Sequence, residues 1–400
     1  MKIAHLIPQF YPYVGGAEIC IHNVCRTLLD EKHQAVIITT AYKPDKGLEL
    51  PYEVVTLWNR TCGLLKKYPV IGKKYLEFKL TQIQKKHNFD LWQVTAGYPL
   101  GVYAIDFFKR NNIPCVLRCC GEDIQKFPQI NYGYRLNPKI DELAKFAYPH
   151  YNGLVALTPT VKKEYNALGI ADSNIKIIPN GADFAKFAKA RKNKEKICGI
   201  RKRFNVGSKK LILTTGRYHQ KKGFDFIPSI AAALKDAGIE FTWVIAGNGV
   251  SEIRRKFPEC EKLNIICSED FTKSESEAFS LPPASLIDLY CAADVYLLPT
   301  LIETFGMVLV EAMAAGLPIV TTDAPGVNDV IIEGENGVKA ESGNVDDITA
   351  KMIKVLKNPE LSAKLSEKSL TMAEEIYDWK VVTGRYIDLY KKVIGDSSRT

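Results

Sequence analysis

Two carboxylates eight positions apart, Glu303 and Glu311, anchor the segment of this 400-residue chain richest in potential chemistry, Glu303-Thr304-Phe305-Gly306 through Thr322. Val308, Leu309, Ala312 and Ala315 recur at helical spacing, and Gly316 followed by Pro318 marks a stop. The pattern predicts a helix carrying Glu311, with Glu303 in the loop before it. Free backbone N–H groups at a helix start attract phosphate or polar oxygen atoms. A carboxylate beside them can accept hydrogen bonds from hydroxyl groups, and one two turns further in can reach a ribose. The plainer alternative is a capping Glu and an ordinary helical Glu, and the flanking Gly, Pro and strand pattern weighs against it. A hydrolytic carboxylate pair is disfavoured. Eight helical residues span about 12 Å, whereas glycosidase carboxyls lie roughly 5–9.5 Å apart.

Other groups have chemistry-bearing spacing. Gly216-Arg217-Tyr218-His219-Gln220-Lys221-Lys222-Gly223 follows an apolar strand pattern. Its Arg offers a planar fork and its Lys a point charge for an anion, unless the loop is simply solvated. Gly15-Gly16 precedes a helical pattern and would let backbone approach a ligand, although a plain turn explains it equally well. The same holds for Gly247-Asn248-Gly249. Ten cysteines are scattered without a C-x-x-C pair. They read as small buried residues of a cytosolic chain rather than as disulfide or metal ligands. Of six histidines, His5 and His219 lie nearest these groups.

The elements that must position such groups alternate strand and helix. Strands are expected at 3–7, 36–40, 54–57, 91–94, 116–118, 154–157 and 175–178. A second series falls at 211–215, 242–246, 264–266, 295–298 and 319–322. Helices are expected near 17–29, 100–110, 224–235, 286–292, 306–315 and 347–356. Short apolar strands alternating with helices imply parallel, doubly wound sheets, and two series imply two Rossmann-like domains. Residues 185–210 read as an exposed basic connector with a short helix, 270–283 as a surface insertion, and 378–394 as an amphipathic helix. No apolar run of 18 residues and no secretory leader pattern occurs, so a cytoplasmic location is expected. Net charge is +9 but uneven: +7 over residues 1–183, +9 over 184–209 and −7 over 210–400. A basic N-terminal half suits an anionic partner such as a membrane surface or a lipid-linked acceptor. Nucleic acid is not expected.

Together these motifs resemble the retaining glycosyltransferases of family 4 (group 1 glycosyltransferases). That family carries E-x7-E, G-G-x-E, G-R-x4-K-G, G-x-G and P-N-G-x-D, matched by Glu303/Glu311, Gly15–Glu18, Gly216–Gly223, Gly247–Gly249 and Pro179–Asp183. Asp294–Thr300 is similar to the family's strand leading into the first Glu.

The resemblance implies a GT-B α/β fold, with two Rossmann-like domains and an inter-domain cleft. Residues 1–184 would bind acceptor, 185–377 the nucleotide sugar, and a helix from about 378 to 400 would complete the first domain. It implies sugar transfer from a UDP- or GDP-linked donor, without metal or cofactor, to a glycan or lipid-linked acceptor in cell-surface polysaccharide or lipopolysaccharide assembly. Arg217 and Lys222 would hold the diphosphate, Glu303 the sugar hydroxyls and Glu311 the ribose. Gly15, Gly16, Gly247, Gly249, Thr304, Phe305 and Gly306 would line the donor. One departure stands out: Cys120 occupies a place where the family often has His, leaving Arg118 or Asp123 to compensate near the acceptor. The competing readings are a non-catalytic nucleotide-sugar binder and an NAD-dependent oxidoreductase. The latter requires a G-x-G-x-x-G after a strand, which the first strand does not offer.

Overall fold

The computed structural model describes residues 1–12, 15–43, 49–272 and 282–397. Tyr13 and Val14 of the glycine loop, and residues 273–281 of the expected insertion, lie outside the described residues. The chain forms two compact units, Met1–Asn180 with Trp379–Thr400, and Gly181–Asp378.

The first unit is built on seven strands: β1 (Lys2–Ile7), β2 (Gln34–Thr39), β3 (Glu53–Thr56), β4 (Leu91–Thr95), β5 (Cys115–Arg118), β6 (Gly153–Ala156) and β7 (Ile175–Ile177). All pair in parallel in the order β3-β2-β1-β4-β5-β6-β7. The central strands are buried on both faces, which is why they read as continuous apolar runs. Strand order reverses between β1 and β4, so the loops after these two strands flank a crevice at the carboxyl ends of the sheet. Helix α1 (Gly16–Asp30) follows β1. Helices α2 (Thr61–Lys67) and α3 (Pro69–His87) precede β4, and α4 (Val102–Arg110) follows it. The C-terminal helix, Trp379–Ser397, buries Trp379, Val382, Tyr386, Leu389, Tyr390 and Val393. Its Tyr390 hydroxyl donates to Gln93 of β4 at 2.6 Å. At Gly153 an added Cβ would lie 3.2–3.3 Å from Val393 and Leu389, so the glycine lets this helix approach β6.

The second unit carries β8 (Lys210–Thr215), β9 (Phe241–Ala246), β10 (Ile265–Ser268), β11 (Val295–Leu298), β12 (Ile319–Thr322) and β13 (Val338–Ala340), parallel in the order β10-β9-β8-β11-β12-β13. Here the order reverses between β8 and β11. Strand β13 has no counterpart in the sequence reading, because three residues are too few to show a period.

The basic segment 185–210 is not a connector. It forms α5 (Phe184–Arg191) and α6 (Lys194–Arg203), which pack against α8 (Ala284–Ala292; α7 is Ile227–Asp236). Phe187 is buried edge-on against Tyr290, 6.0 Å between centroids. Arg201 donates to the Ala292 carbonyl at 3.0 Å and pairs with Asp294 at 2.9 Å. The helices are held by the apolar anchor Phe187 and by part-buried polar contacts of Arg201, while most of the remaining charges face solvent. The division between units also falls at Asn180 rather than 184, because Asp183 caps α5 through the Lys186 N–H and the Ala182 N–H donates to the Tyr377 carbonyl at 2.8 Å. Among the described residues no helix is long and apolar enough to cross a membrane.

Candidate active site

The second unit's crevice is made by two loops that lock onto each other. After β8 the chain turns at Gly216 (φ +138°), runs through Arg217, and makes a short 3-10 turn, Gln220–Lys222, capped by His219. The Lys221 carbonyl accepts from the Leu301 N–H and the Thr300 hydroxyl, both at 2.7 Å. Gly223 is left-handed (φ +66°), and a Cβ there would fall 1.8 Å from the Pro299 carbonyl oxygen. Only glycine permits this contact. Glu303 then enters α9 (Met307–Ala315), whose cap is Gly306 at φ +80°.

Glu303 is 5% exposed and forms an ion pair with Lys222 Nζ. Burial pushes its carboxyl up, but the charges of Lys222 and Lys221 and the hydrogen bond from the Thr304 N–H prevail and hold it below the usual glutamate range. Burial lowers the pKa of Lys222, assisted by the charges of Lys221 and Arg217 and opposed by Glu303. Arg217 is exposed. Glu311 is buried on α9, and its Oε2 accepts from the Tyr290 hydroxyl at 2.8 Å. Tyr290 in turn meets Thr215, and Thr215 meets Tyr296 at 3.0 Å. Burial raises the Glu311 carboxyl to about 7, against the Tyr290 hydrogen bond and the Lys222 charge.

The other expected donor-side residues divide into backbone and packing roles. Thr304 is buried, and the Phe305 ring is buried against Tyr377, 5.9 Å between centroids, anchoring the loop rather than projecting from it. A Cβ on Gly247 would lie 1.9 Å from the Gly216 carbonyl oxygen, so the ends of β8 and β9 touch backbone to backbone. Gly249 is left-handed, 3.6 Å from Tyr218 by the same measure. Two contributors escaped the sequence reading. Tyr290 lies in a helix remote in sequence from the motif. Gly326 (φ +83°) lies where a Cβ would fall 1.9 Å from the Glu303 carbonyl oxygen, and the Glu303 N–H donates to Pro325 at 2.9 Å. The Pro325-Gly326 dipeptide was the available signal.

In the first unit, Gly15 caps α1 with extended backbone, and Gly16 opens the helix. The buried Glu18 lies close by: its Oε2 would be 3.0 Å from a Cβ at Gly15. The segment after β5 differs from expectation. Asp123 does not face an acceptor with a free carboxylate. Its Oδ1 accepts from the Cys120 and Gly121 N–H groups, each at 2.8 Å, and its Oδ2 accepts from Gly97 at 2.5 Å. It ties the loop after β5 to the loop after β4. Arg118 is 1% exposed and donates to Asn180 Oδ1 at 2.6 Å and to Cys120 Sγ at 3.0 Å. Asp123 is thus committed to backbone N–H groups, and Arg118 to the side chains of Asn180 and Cys120. Burial pushes the Cys120 thiol up to about 12, against the Arg118 charge, so it stays protonated at neutral pH. His5 is buried, and burial lowers its pKa to about 3, with the Arg118 charge adding to the effect. His219 serves as the cap described above. Ala96 (φ +86°) and Gly97, in the loop after β4, were not singled out from sequence. Among the described residues no group of three His, Cys, Asp or Glu side chains is arranged to hold a metal ion.

The second-unit crevice thus joins exposed and buried cations to an ionised carboxylate, with a second carboxyl behind, at a parallel-sheet switch point. Such a site can bind an anionic group and hydroxyls together. Comparison with known proteins agrees in kind. The family model "Glycosyl transferases group 1" matches residues 199–372, and "Glycosyltransferase Family 4" matches residues 14–186. The chain is 26% identical to the phosphatidylinositol N-acetylglucosaminyltransferase GPI3 subunit of Saccharomyces cerevisiae, over 99% of this chain and 84% of that protein. It is 24% identical to an uncharacterized glycosyltransferase of Methanocaldococcus jannaschii, over 96% of each. Among solved structures, HepE of Anabaena in complex with UDP superposes with a TM-score of 0.77 at 19% identity, covering 98% of this chain and 100% of that one. A glycosyltransferase from Rickettsia africae gives 0.78 at 16% identity and 98% of both. With family models matching the greater part of both units, the chain belongs to the group 1, family 4 glycosyltransferases and is a glycosyltransferase enzyme.

Proposed function

We propose that the chain transfers a sugar from a nucleoside-diphosphate donor, with retention of configuration, to a hydroxyl of a glycan or lipid-linked acceptor in cell-surface glycan assembly. The carrying observation is the buried Lys222–Glu303 pair at the β8/β11 switch point. It sets a cation suited to a leaving diphosphate beside a carboxylate suited to sugar hydroxyls. Because Glu303 is held ionised, it accepts hydrogen bonds and does not donate a proton. Arg217, exposed on the same loop, adds a bidentate fork for phosphate. Glu311 takes the ribose.

In this reading the bond between the anomeric carbon and the diphosphate oxygen breaks while the acceptor oxygen bonds to the same face. The acceptor proton passes to the departing diphosphate. Lys222 and Arg217 stabilise the charge that develops there without a metal. The UDP complex of HepE and its UDP-glucose complex favour a UDP-linked donor. The names of the yeast relative and of a Campylobacter jejuni undecaprenol-linked transferase favour a lipid-linked acceptor at an anionic membrane face.

The test is UDP release and product formation from UDP- and GDP-sugars, with and without EDTA. Glu303→Ala and Lys222→Ala are each expected to lower kcat by about 100-fold or more, and EDTA to change nothing. Near-normal turnover by either variant would remove that residue from the proposed roles.

A further inference from the structure

The elbow between α2 and α3 carries side chains that neither the fold nor the donor site uses. Val70 is 71% exposed and Ile71 61%, with Trp58, Tyr68 and Phe78 about half exposed beside them. The elbow is tightly built. A Cβ on Gly72 would lie 2.9 Å from the Leu65 backbone, so the two helices meet main chain to main chain, while Leu65, Leu76 and Leu80 face the core. Inward anchoring of these leucines sets the opposite face outward. On α3, Ile71, Tyr75 and Phe78 fall at helical spacing along that face, and the Trp58 ring meets Tyr75 edge-on at 6.2 Å. Residues 58–76 hold five Lys or Arg and no Asp or Glu.

We infer that this elbow is where the protein seats on an anionic lipid bilayer, with Val70 and Ile71 entering the headgroup–acyl boundary. The inference rests on the proposed lipid-linked acceptor for its choice of partner. Aliphatic side chains at the tip, Trp and Tyr flanking them and a predominantly basic surround, in which Asp106 pairs with Lys73 and Glu77 with Arg110, are the pattern of an interfacial membrane contact. A polynucleotide would use the lysines but gain nothing from exposed Val and Ile, and a second copy of the chain would set like charges together. The position also fits. Lys66, at the end of α2, lies 4.9 Å from the Tyr134 ring centroid and 5.7 Å from that of Tyr98, in the loop after β4. The seat therefore adjoins the first unit's crevice, and an acceptor headgroup in the bilayer would arrive beside it.

The experiment is co-sedimentation of the full chain with phosphatidylcholine vesicles, alone or supplemented with phosphatidylglycerol, at low and high salt. The wild type is expected to bind the anionic vesicles and release in salt. Lys67→Gln and Lys74→Gln should each weaken binding about fivefold. Val70→Asp with Ile71→Asp should abolish binding while leaving melting temperature and UDP-induced stabilisation unchanged. Equal binding by wild type and the Asp variant would overturn the inference. So would a wild type that is dimeric in solution and becomes monomeric with those substitutions, or one that binds polyanions but not vesicles. Retained sugar transfer to a soluble acceptor with no vesicle binding would refute the seat and leave the proposed function standing. Loss of the UDP response in the wild type would refute that function and leave the seat.

Discussion

Lys222→Met should destabilise the second unit and reverse its local response to pH. The substitution keeps most of the length of the side chain, ending one atom short of Nζ, and removes the cation from a pair in which both groups are largely buried. Deleting one partner of such a pair costs about 3–5 kcal/mol, chiefly because the remaining charge is stranded. In a unit of roughly 200 residues, 1 kcal/mol shifts Tm by about 2–4 °C, so a fall of about 6–20 °C is expected near neutral pH.

The dependence on pH follows from the direction of each shift. In the wild type the folded-state pKa of Glu303 is depressed, so its contribution is present above the unfolded value and lost as pH falls through the folded value. Without Lys222, burial dominates and lifts that pKa above the unfolded value. The folded variant then favours the protonated carboxyl, and its penalty grows as pH rises from about 4 toward 7. The gap between wild type and variant should therefore be small in acid and wide at neutrality. Adding Glu303→Gln to Lys222→Met should recover most of the stability at pH 7 and none of the transfer activity. Thermal unfolding of the three proteins at several pH values decides the matter. A gap that stays constant with pH, or a double variant no more stable than Lys222→Met, would show that the pair does not govern this site.

Other outcomes follow from the same geometry. The Glu311 carboxyl, raised to about 7, favours the protonated folded form, so its stability cost grows as pH rises from about 4.5 to 7 and reaches about 3 kcal/mol. Glu311→Gln should accordingly raise the denaturation midpoint at pH 8 more than at pH 5, while weakening nucleotide-sugar binding measured by calorimetry. Gly326→Ala should cost at least about 1 kcal/mol and lower kcat/KM, because its Cβ would meet the Glu303 carbonyl oxygen at a left-handed position. A wild-type Tm and rate would contradict that contact. At pH 8, iodoacetamide should label the exposed Cys198 and spare Cys120, whose thiol is pushed up to about 12; peptide mass spectrometry reads the difference.

The doubly wound architecture was legible because parallel strands buried on both faces become largely apolar runs, as in β1, β5, β6, β9 and β11; the edge strands β3 and β7 are more exposed and carry weaker patterns. The Glu303–Glu311 segment and the Gly216–Gly223 loop were legible for a related reason. Left-handed turns and close backbone contacts demand glycine at fixed positions, as at Gly223 and Gly306. Amino-acid types and near-neighbour spacing thus determined the elements, the anion-binding loops and the carboxylate-bearing helix. The sequence alone did not determine which groups are free to meet a ligand. Asp123 reads as an available carboxylate, yet three backbone N–H groups from two loops occupy it. Arg118 reads as available near the acceptor, yet it is buried on Asn180, 62 residues away. Residues 185–210 read as a solvated connector, yet Phe187 fastens them to α8. Gly326 and Tyr290 meet the two glutamates only when separate βα units are laid side by side. A side chain's exposure and protonation depend on long-range neighbours that local periodicity does not encode, and the tertiary structure alone decided those.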